Sequence, residues 1–148
     1  MIYTNIGDIM RTFLIFDIND NYYSLYKEYP KSIFNILKQV YFLKRDNLGF
    51  AKNILYSLVN NIEKNDLDKN IFIKLHKDLP YSKRGNVHMF NNFYYGEITT
   101  MEIKNTYIKI KSSKDYNYFF NCLSFYNHLF VCDFETNDYF FLKDMFNV

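Results

Sequence analysis

Residues 106–142 read TYIKIKSSKDYNYFFNCLSFYNHLFVCDFETNDYFFL, and this stretch decides the fold. It opens with Ile108 and Ile110 alternating with lysines, which is the two-residue period of a strand with one buried face. The SSKD that follows has the serine and acid spacing of a helix cap. Apolar residues then recur at three- and four-residue steps, which predicts a helix with one buried side. They are Tyr116, Phe119, Phe120, Leu123 and Tyr126.

The end of this stretch predicts a second, buried strand. LFVCDF at 129–134 is too short for a typical helix and is rich in β-formers. ETND at 135–138 has the composition of a turn, and the short apolar segment YFFL follows at 139–142.

The composition fits a single domain with its own core. The chain has 148 residues, of which 49% are hydrophobic. Its 18 basic and 16 acidic residues give a net charge of +2, which is too even to predict binding to nucleic acid or to a membrane. Because neither a signal peptide nor an apolar span of roughly 18–20 residues is visible, we expect a cytoplasmic protein. We also expect it to be a monomer. Cys122 and Cys132 are expected to be reduced core residues, and their positions could make them neighbours.

The regular pattern begins only after Met10, which is a second possible start. We therefore expect residues 1–11 to be an extension or alternative start, and residues 12–148 to form one domain. TFLIFDI at 12–18 predicts a central strand. NDN at 19–21 predicts a turn, from which YYSLY at 22–26 would return as the second strand of a hairpin.

The middle of the chain predicts helices. A proline that suits a first helical turn opens one from Pro30 to about Arg45, and a second should cover Phe50 to Ile62. We expect residues 63–70 to be a polar connection and residues 71–79 to be a short helix, ended by Pro80.

The remaining segments complete the predicted sheet. We expect residues 81–85 to be a loop, and residues 87–95 fit no element. Residues 97–104 and 106–111 predict a strand pair joined by a tight turn. The predicted fold class is α/β (α+β): a single domain in which several helices pack on a small mixed or antiparallel sheet.

The sequence patterns of common catalytic and metal sites are missing. The histidines at 76, 88 and 128 match no zinc spacing with the two cysteines. The four glycines stand apart and form no phosphate-binding loop. The sequence therefore predicts neither a metal nor another cofactor.

One acid and one group of bases leave alternatives open. Asp133, inside an apolar strand, could be a catalytic acid perturbed by burial in an acyltransferase-like α/β enzyme. We favour the commoner interpretation, in which such an Asp caps a turn or pairs with a Lys or Arg. Lys83, Arg84, Lys109 and Lys111 could contact phosphate in a weak nucleic-acid-binding module, although the near-neutral charge speaks against it.

The cluster of Tyr22, Tyr23 and Tyr26 beside the first strand is the main hint of function. Exposed tyrosines are favoured at protein interfaces. The same rings could instead cover the core.

Three motifs of the deciding stretch carry a resemblance to a known family. TYIKIKSSKDY at 106–116 falls where the family has a strand, a small-residue turn and an acid. FFNCL at 119–123 is similar to its Phe-Phe-x-x-Leu helix, and DFETNDYFFL at 133–142 to its Asp-Phe-x-Thr-x-x-Tyr-Gly-Trp-Leu ending. The chain resembles the sporulation inhibitor of replication family, SirA, small proteins of spore-forming low-GC Gram-positive bacteria.

The N-terminal half resembles the same family more loosely. FLI at 13–15 is similar to its Tyr-Leu-Ile strand, YY at 22–23 to its Tyr-Phe before a glycine, and FNIL at 34–37 to its Phe-x-Leu-Phe helix. KNILY at 52–56 resembles its Lys-Gln-Ile-x-Tyr, with Asn in place of Gln. Ser24 and Phe140 stand at family glycines, so any turn with positive φ at these positions would have to differ.

The resemblance implies an inhibitor that acts by contact and not by catalysis. Family members bind the N-terminal domain of the replication initiator DnaA and limit new rounds of replication during sporulation. Carried over residue by residue, the contacts would be Ile18, Tyr22 and Asn53, with Tyr23 as a further candidate. Ile18 and Tyr22 would fill a depression on the partner, while Asn53 would hydrogen-bond to it.

Overall fold

The structure is a computed structural model that describes residues 10–43 and 48–146. Its main element is a seven-stranded antiparallel sheet. The strand order across the sheet is β2-β3-β4-β5-β1-β6-β7. The strands are β1 (Arg11–Asp17), β2 (Tyr81–Arg84), β3 (Val87–Asn92), β4 (Glu97–Ile103), β5 (Ile108–Ser112), β6 (Leu129–Asp133) and β7 (Asp138–Phe141). The expected α+β domain with an antiparallel sheet is confirmed.

Five α-helices accompany the sheet in the described part of the chain. They are α1 (Asp20–Tyr26), α2 (Pro30–Tyr41), α3 (Leu48–Leu58), α4 (Lys64–Leu75) and α5 (Tyr118–Leu123). Short 3₁₀ helices cover Phe93–Tyr95 and Leu142–Phe146. None of the helices formed by residues 10–43 and 48–146 is long and apolar enough to cross a membrane.

The core has two parts, one on each face of β1, because alternate residues of a strand point to opposite faces. Phe13 and Ile15 pack with α4 and α5, whereas Leu14 and Phe16 pack with α2 and α3. Both cysteines are buried and unbonded, as expected. They lie in different parts of the core, one on α5 and one on β6, so the expectation that they could be neighbours is wrong.

The strands with the clearest sequence patterns are confirmed. β1 is an interior strand between β5 and β6, β4 pairs with β5, and all five residues of β6 are buried. Helix α5 is also present but is shorter than predicted. Its N-cap is Asn117, and Ser112 instead ends β5, where its hydroxyl bonds to Thr99 and accepts from the Lys114 N–H.

The predicted hairpin after β1 is wrong, because residues 20–26 form a helix. The side chain of Asn19 accepts a hydrogen bond from the Tyr22 N–H (2.9 Å), which makes it the N-cap of α1. An NDN sequence favours a helix start as well as a turn, since Asn side chains stabilise both. β1 pairs instead with β5 and β6.

Three further expectations in the first half and middle of the chain are corrected. Residues 63–70 belong largely to α4 and are not a loop connection. Residues 81–84 form β2, an edge strand, and residues 87–92 form β3. Helix α3 ends at Leu58, four residues early, because Val59 forms a β-bridge with Ile18.

Two boundaries fall at the limits of what the structure describes. Helix α2 ends at Tyr41, and the predicted end near Arg45 lies outside the described residues. Residues 1–9 of the expected extension also lie outside them, whereas Arg11 already belongs to β1.

Candidate partner-binding surface

Helix α1 starts from a junction where three elements are joined by backbone hydrogen bonds. The Asn19 N–H donates to the Leu58 carbonyl (3.0 Å), and the Asn60 N–H donates to the Asp17 carbonyl (2.7 Å). The Asn19 side chain also donates to the Ser57 carbonyl. The end of α3 is therefore fixed beside the start of α1, and the positions of both helices are set by β1.

The tyrosines of α1 have two different environments. Tyr23 contacts two other rings: it stacks on His128 at a centroid distance of 3.8 Å and packs edge-to-face with Phe141 at 5.3 Å. Tyr22 lies at the side of the helix and stacks on Tyr26 at 5.8 Å. Both rings are half-buried and pack against the core under α2 and α3, but Tyr23 makes the closer ring contacts.

An apolar groove of about 290 Å³ lies between α1, α2 and α3. Its lining is almost entirely hydrophobic, with Gln39 and the hydroxyl of Tyr22 as its polar groups. The lining residues are Tyr22, Ile36, Gln39, Val40, Leu43, Phe50, Ile54 and Leu58. We refer to it below as the helical groove.

Several exposed aromatic and aliphatic side chains lie on the helical layer that forms the helical groove, although not all of them face it. Phe50, on its rim, is 64% exposed, and Phe42 at the end of α2 is 61% exposed. Leu25, Tyr29 and Tyr56 on the same helical layer are also largely in solvent, whereas Tyr41 is 43% exposed and packs with Phe42 against Phe134. Of these rings only Phe50 lines the groove, and an exposed ring beside an apolar depression is typical of a surface that contacts a partner.

The four predicted contact residues differ in how accessible they are to a partner. Tyr22 lines the helical groove, and Asn53 is exposed on α3, one turn from Phe50. Ile18 is completely buried, so it supports the junction of α1 and α3 and does not fill a depression on a partner. The Tyr23 ring is engaged mainly by its contacts with His128 and Phe141. Tyr22 and Asn53 therefore remain the candidates that a partner could reach.

Sequence reasoning missed other residues of the groove, above all Phe50, Leu43 and Gln39. Phe50 was predicted as the first residue of its helix, and nothing in the pattern indicated that its ring would be exposed beside a groove. The other groove residues were missed because the predicted hairpin placed Tyr22 on a strand, whereas the structure places it beside α2.

Asp133 is paired, as the favoured interpretation predicted. Arg11 donates from Nε to Asp133 (2.9 Å) and from its two other nitrogens to Asp115 (2.9 Å) and Asp138 (3.0 Å). The second oxygen of Asp133 accepts from two backbone N–H groups of the following turn. Partial burial acts to lower the pKa of Arg11, but the hydrogen bonds to the three carboxylates outweigh it and raise that pKa. Both oxygens of Asp133 are therefore occupied, which disfavours the catalytic alternative.

A second polar network lies inside the core and was not predicted. His88 is completely buried, with Nε2 2.7 Å from Asp68 and Nδ1 2.8 Å from the Tyr81 hydroxyl. Lys64 donates to the other oxygen of Asp68 (2.9 Å). Burial raises the pKa of Tyr81 to about 12, so this hydroxyl keeps its proton and donates to Nδ1.

The same network disfavours protonation of its histidine. Burial lowers the pKa of His88, and the neighbouring Asp68 offsets this only in part. Burial alone would raise the pKa of Asp68, but its hydrogen bonds from Lys64 and His88 lower it. Because no solvent reaches His88, we interpret the network as a link between α4 and the β2–β3 pair and not as a catalytic relay.

Within the described ranges, no group of His, Cys, Asp or Glu side chains is arranged to hold a metal ion. No protein-family model matches this chain, and a search of curated proteins finds no match either. The resemblance to the SirA family therefore rests on the sequence motifs quoted above and stays a prediction.

Proposed function

We propose that this protein is a cytoplasmic inhibitor of replication initiation, which binds the N-terminal domain of the initiator DnaA through the helical groove during sporulation. The observation that supports this proposal is the groove itself, an apolar depression with Tyr22 on its wall and exposed Phe50 on its rim. Binding sites between proteins typically combine such an aromatic anchor with a hydrophobic pocket.

The proposed contact has an apolar centre and a polar edge. A hydrophobic side chain of the initiator would enter the groove between α2 and α3 and lose its contact with water. Asn53, exposed beside Phe50, would supply a directional hydrogen bond at the edge. Inhibition would follow from steric competition, because the covered initiator surface could not contact its own partners.

The test is calorimetric titration of the purified protein with the DnaA N-terminal domain from the same organism. We expect a dissociation constant in the micromolar range or tighter for the unaltered chain. Tyr22→Ala should weaken binding about 30-fold, as is typical of a central interface residue worth about 2 kcal/mol. Tyr94→Ala, at a remote and 89% exposed position, is the matched control and should bind normally.

Because Tyr22 is half-buried, a second variant separates binding from folding. Asn53→Ala removes an exposed side chain and should weaken binding while leaving the thermal unfolding temperature unchanged. Absence of binding by the folded, unaltered chain would overturn the proposal. Equal affinity of Tyr22→Ala and the unaltered chain would overturn the assignment of the groove.

A further inference from the structure

On the face where α2 and α3 pack, half of the sheet is not covered by any helix of residues 10–43 and 48–146. The register places Arg84, Val87, Glu102 and Lys109 in one row across β2 to β5, and the row continues to Leu14 on β1. Leu14 belongs to the core under α2 and α3. The row therefore shares the face of Leu14, yet this part of the core contains no residue of β2, β3 or β4 among the residues described.

The next row confirms that this region is open. It contains Ser82, Met89, Thr100 and Lys111 and reaches Thr12 on β1, and none of these five side chains is buried. We call this surface, on β2 to β5, the open face.

The open face is positively charged. Arg84, Lys109 and Lys111 lie in the two rows, and in the described part of the chain none of them pairs with a carboxylate. Glu102 is the one acid in these rows, and Lys104 neutralises it at 2.5 Å. A shallow depression of about 170 Å³ lies between the two lysines and Glu102.

The net charge of +2 hides this patch because the acids are concentrated elsewhere. Asp17, Glu63 and Asp66 line a separate cleft of about 300 Å³. Three more carboxylates surround Arg11. The separation of charges leaves the open face with an excess of cations, although the whole chain is nearly neutral.

Exposed aromatic rings lie at one end of the open face. The β3–β4 connection consists of Phe93, Tyr94 and Tyr95, which are 75%, 89% and 67% exposed. Gly96 closes this turn with a φ of 70°, a conformation that other residues rarely adopt. The turn thus holds three rings together in solvent, with Tyr94 and Tyr95 5.1 Å apart and nearly perpendicular.

We propose that the open face binds single-stranded nucleic acid. Proteins that bind single strands without strong sequence preference combine a cationic track for the phosphates with aromatic rings on which bases stack. Here Arg84, Lys109 and Lys111 supply the track, and Tyr94 and Tyr95 supply the rings. From Val87 to Phe93 the strand spans roughly 20 Å, which is long enough for a site of about 4 nucleotides. This inference does not depend on binding of the initiator.

The test uses the full chain and a fluorescein-labelled oligothymidine of 15 nucleotides, with binding followed by anisotropy at several salt concentrations. We expect binding at low salt that weakens steeply as salt increases, because bound phosphates release counterions. Lys109→Gln with Lys111→Gln should lower the slope of log K against log salt by about 0.7 for each cation removed. Tyr94→Ala should weaken binding at least fivefold through loss of stacking.

Adjacent residues on β2 provide the matched control. In the β2–β3 register Lys83 lies opposite His88, which faces the core, so Lys83 lies on the opposite face of the sheet from Arg84. Lys83 and Arg84 are both exposed. Arg84→Gln should weaken binding and lower the salt slope, whereas Lys83→Gln removes the same charge and should leave the slope unchanged.

Three results would overturn the inference. The first is no binding at low salt by a chain whose circular dichroism shows it folded. The second is equal loss of binding in Lys83→Gln and Arg84→Gln, which would indicate attraction by charge without a site. The third is binding of a polyglutamate peptide that is as tight as that of the oligonucleotide and insensitive to Tyr94→Ala, which would assign the surface to an acidic protein.

Discussion

One face of the sheet has two halves of opposite character. On β1, Leu14 and Phe16 are apolar and pack under α2 and α3, the two helices that form the helical groove with α1. On the neighbouring strand β5, Lys109 and Lys111 occupy the same face, and the helical cover ends there. The comparison teaches that the side chains at alternate positions of adjacent strands decide where helices pack, and hence where a partner could bind.

The largest expected difference between the halves is in stability. Phe130 is completely buried in the covered half, so Phe130→Ala should lower the free energy of unfolding by about 3–5 kcal/mol. Met89→Ala on the open face should lower it by less than about 1 kcal/mol. Urea unfolding of both variants measures the two values. Similar losses would mean that the open face is packed against something and is not a free surface.

The second difference is in binding of the DnaA domain. Phe50→Ala and Phe93→Ala remove rings that are 64% and 75% exposed, one beside the helical groove and one at the end of the open face. We expect Phe50→Ala to weaken binding about tenfold and Phe93→Ala to have no effect. Calorimetry on the two variants measures this, and equal affinities would remove the groove from the proposed interface.

The third test concerns the start of α1, which sets the position of Tyr22. Asn19→Ala should cost about 1 kcal/mol of stability, because the N-cap hydrogen bond to the Tyr22 N–H is lost. Asn35→Ala, at an exposed position inside α2, should be neutral or slightly stabilising. Thermal unfolding of both variants distinguishes a cap from an ordinary polar residue, and a neutral Asn19→Ala would contradict the capping role.

The smallest expected effect is a pH dependence from the network beneath the open half. The pKa of His88 is lowered on folding, so the unfolded chain binds a proton there more readily than the folded chain. The contribution of His88 to the free energy of unfolding should be fully present above about pH 6.5 and should decrease as the pH drops below that value. Unfolding at pH 7.5 and 5.5 measures this fall.

Variants assign that pH dependence to one residue. His88→Gln should remove the fall that occurs just below pH 6.5, whereas His76→Gln, at an exposed position on the end of α4, should keep it. A fall that persists in His88→Gln would mean that another group is responsible.

The sequence predicted elements whose burial produces a simple period. β1 and β6 carry nearly continuous apolar runs, and β5 alternates isoleucine with lysine, so each was identified. Helix α4 was missed in its first half because Asp68 occupies a buried position, and the contacts with His88 and Lys64 make that polar residue compatible with the core. β2 was missed because it is an edge strand with three exposed residues, whose structure comes from pairing with β3.

The candidate site was predictable only in part. Tyr22 and Asn53 followed from the motifs and lie at accessible positions. Ile18 failed because a residue at the end of a strand can point into the core or away from it, and here the bridge to Val59 buries it. The open face could not be located from composition, because it depends on the register of four strands.

The most direct test of the two-surface account is a pair of titrations of the isotope-labelled protein followed by amide chemical shifts. We predict that the DnaA N-terminal domain changes the signals of α1, α2 and α3, and that the oligothymidine changes those of β2 to β5 and residues 93–96. Shifts of one common set of residues by both ligands, or of neither set by a folded sample, would contradict the account.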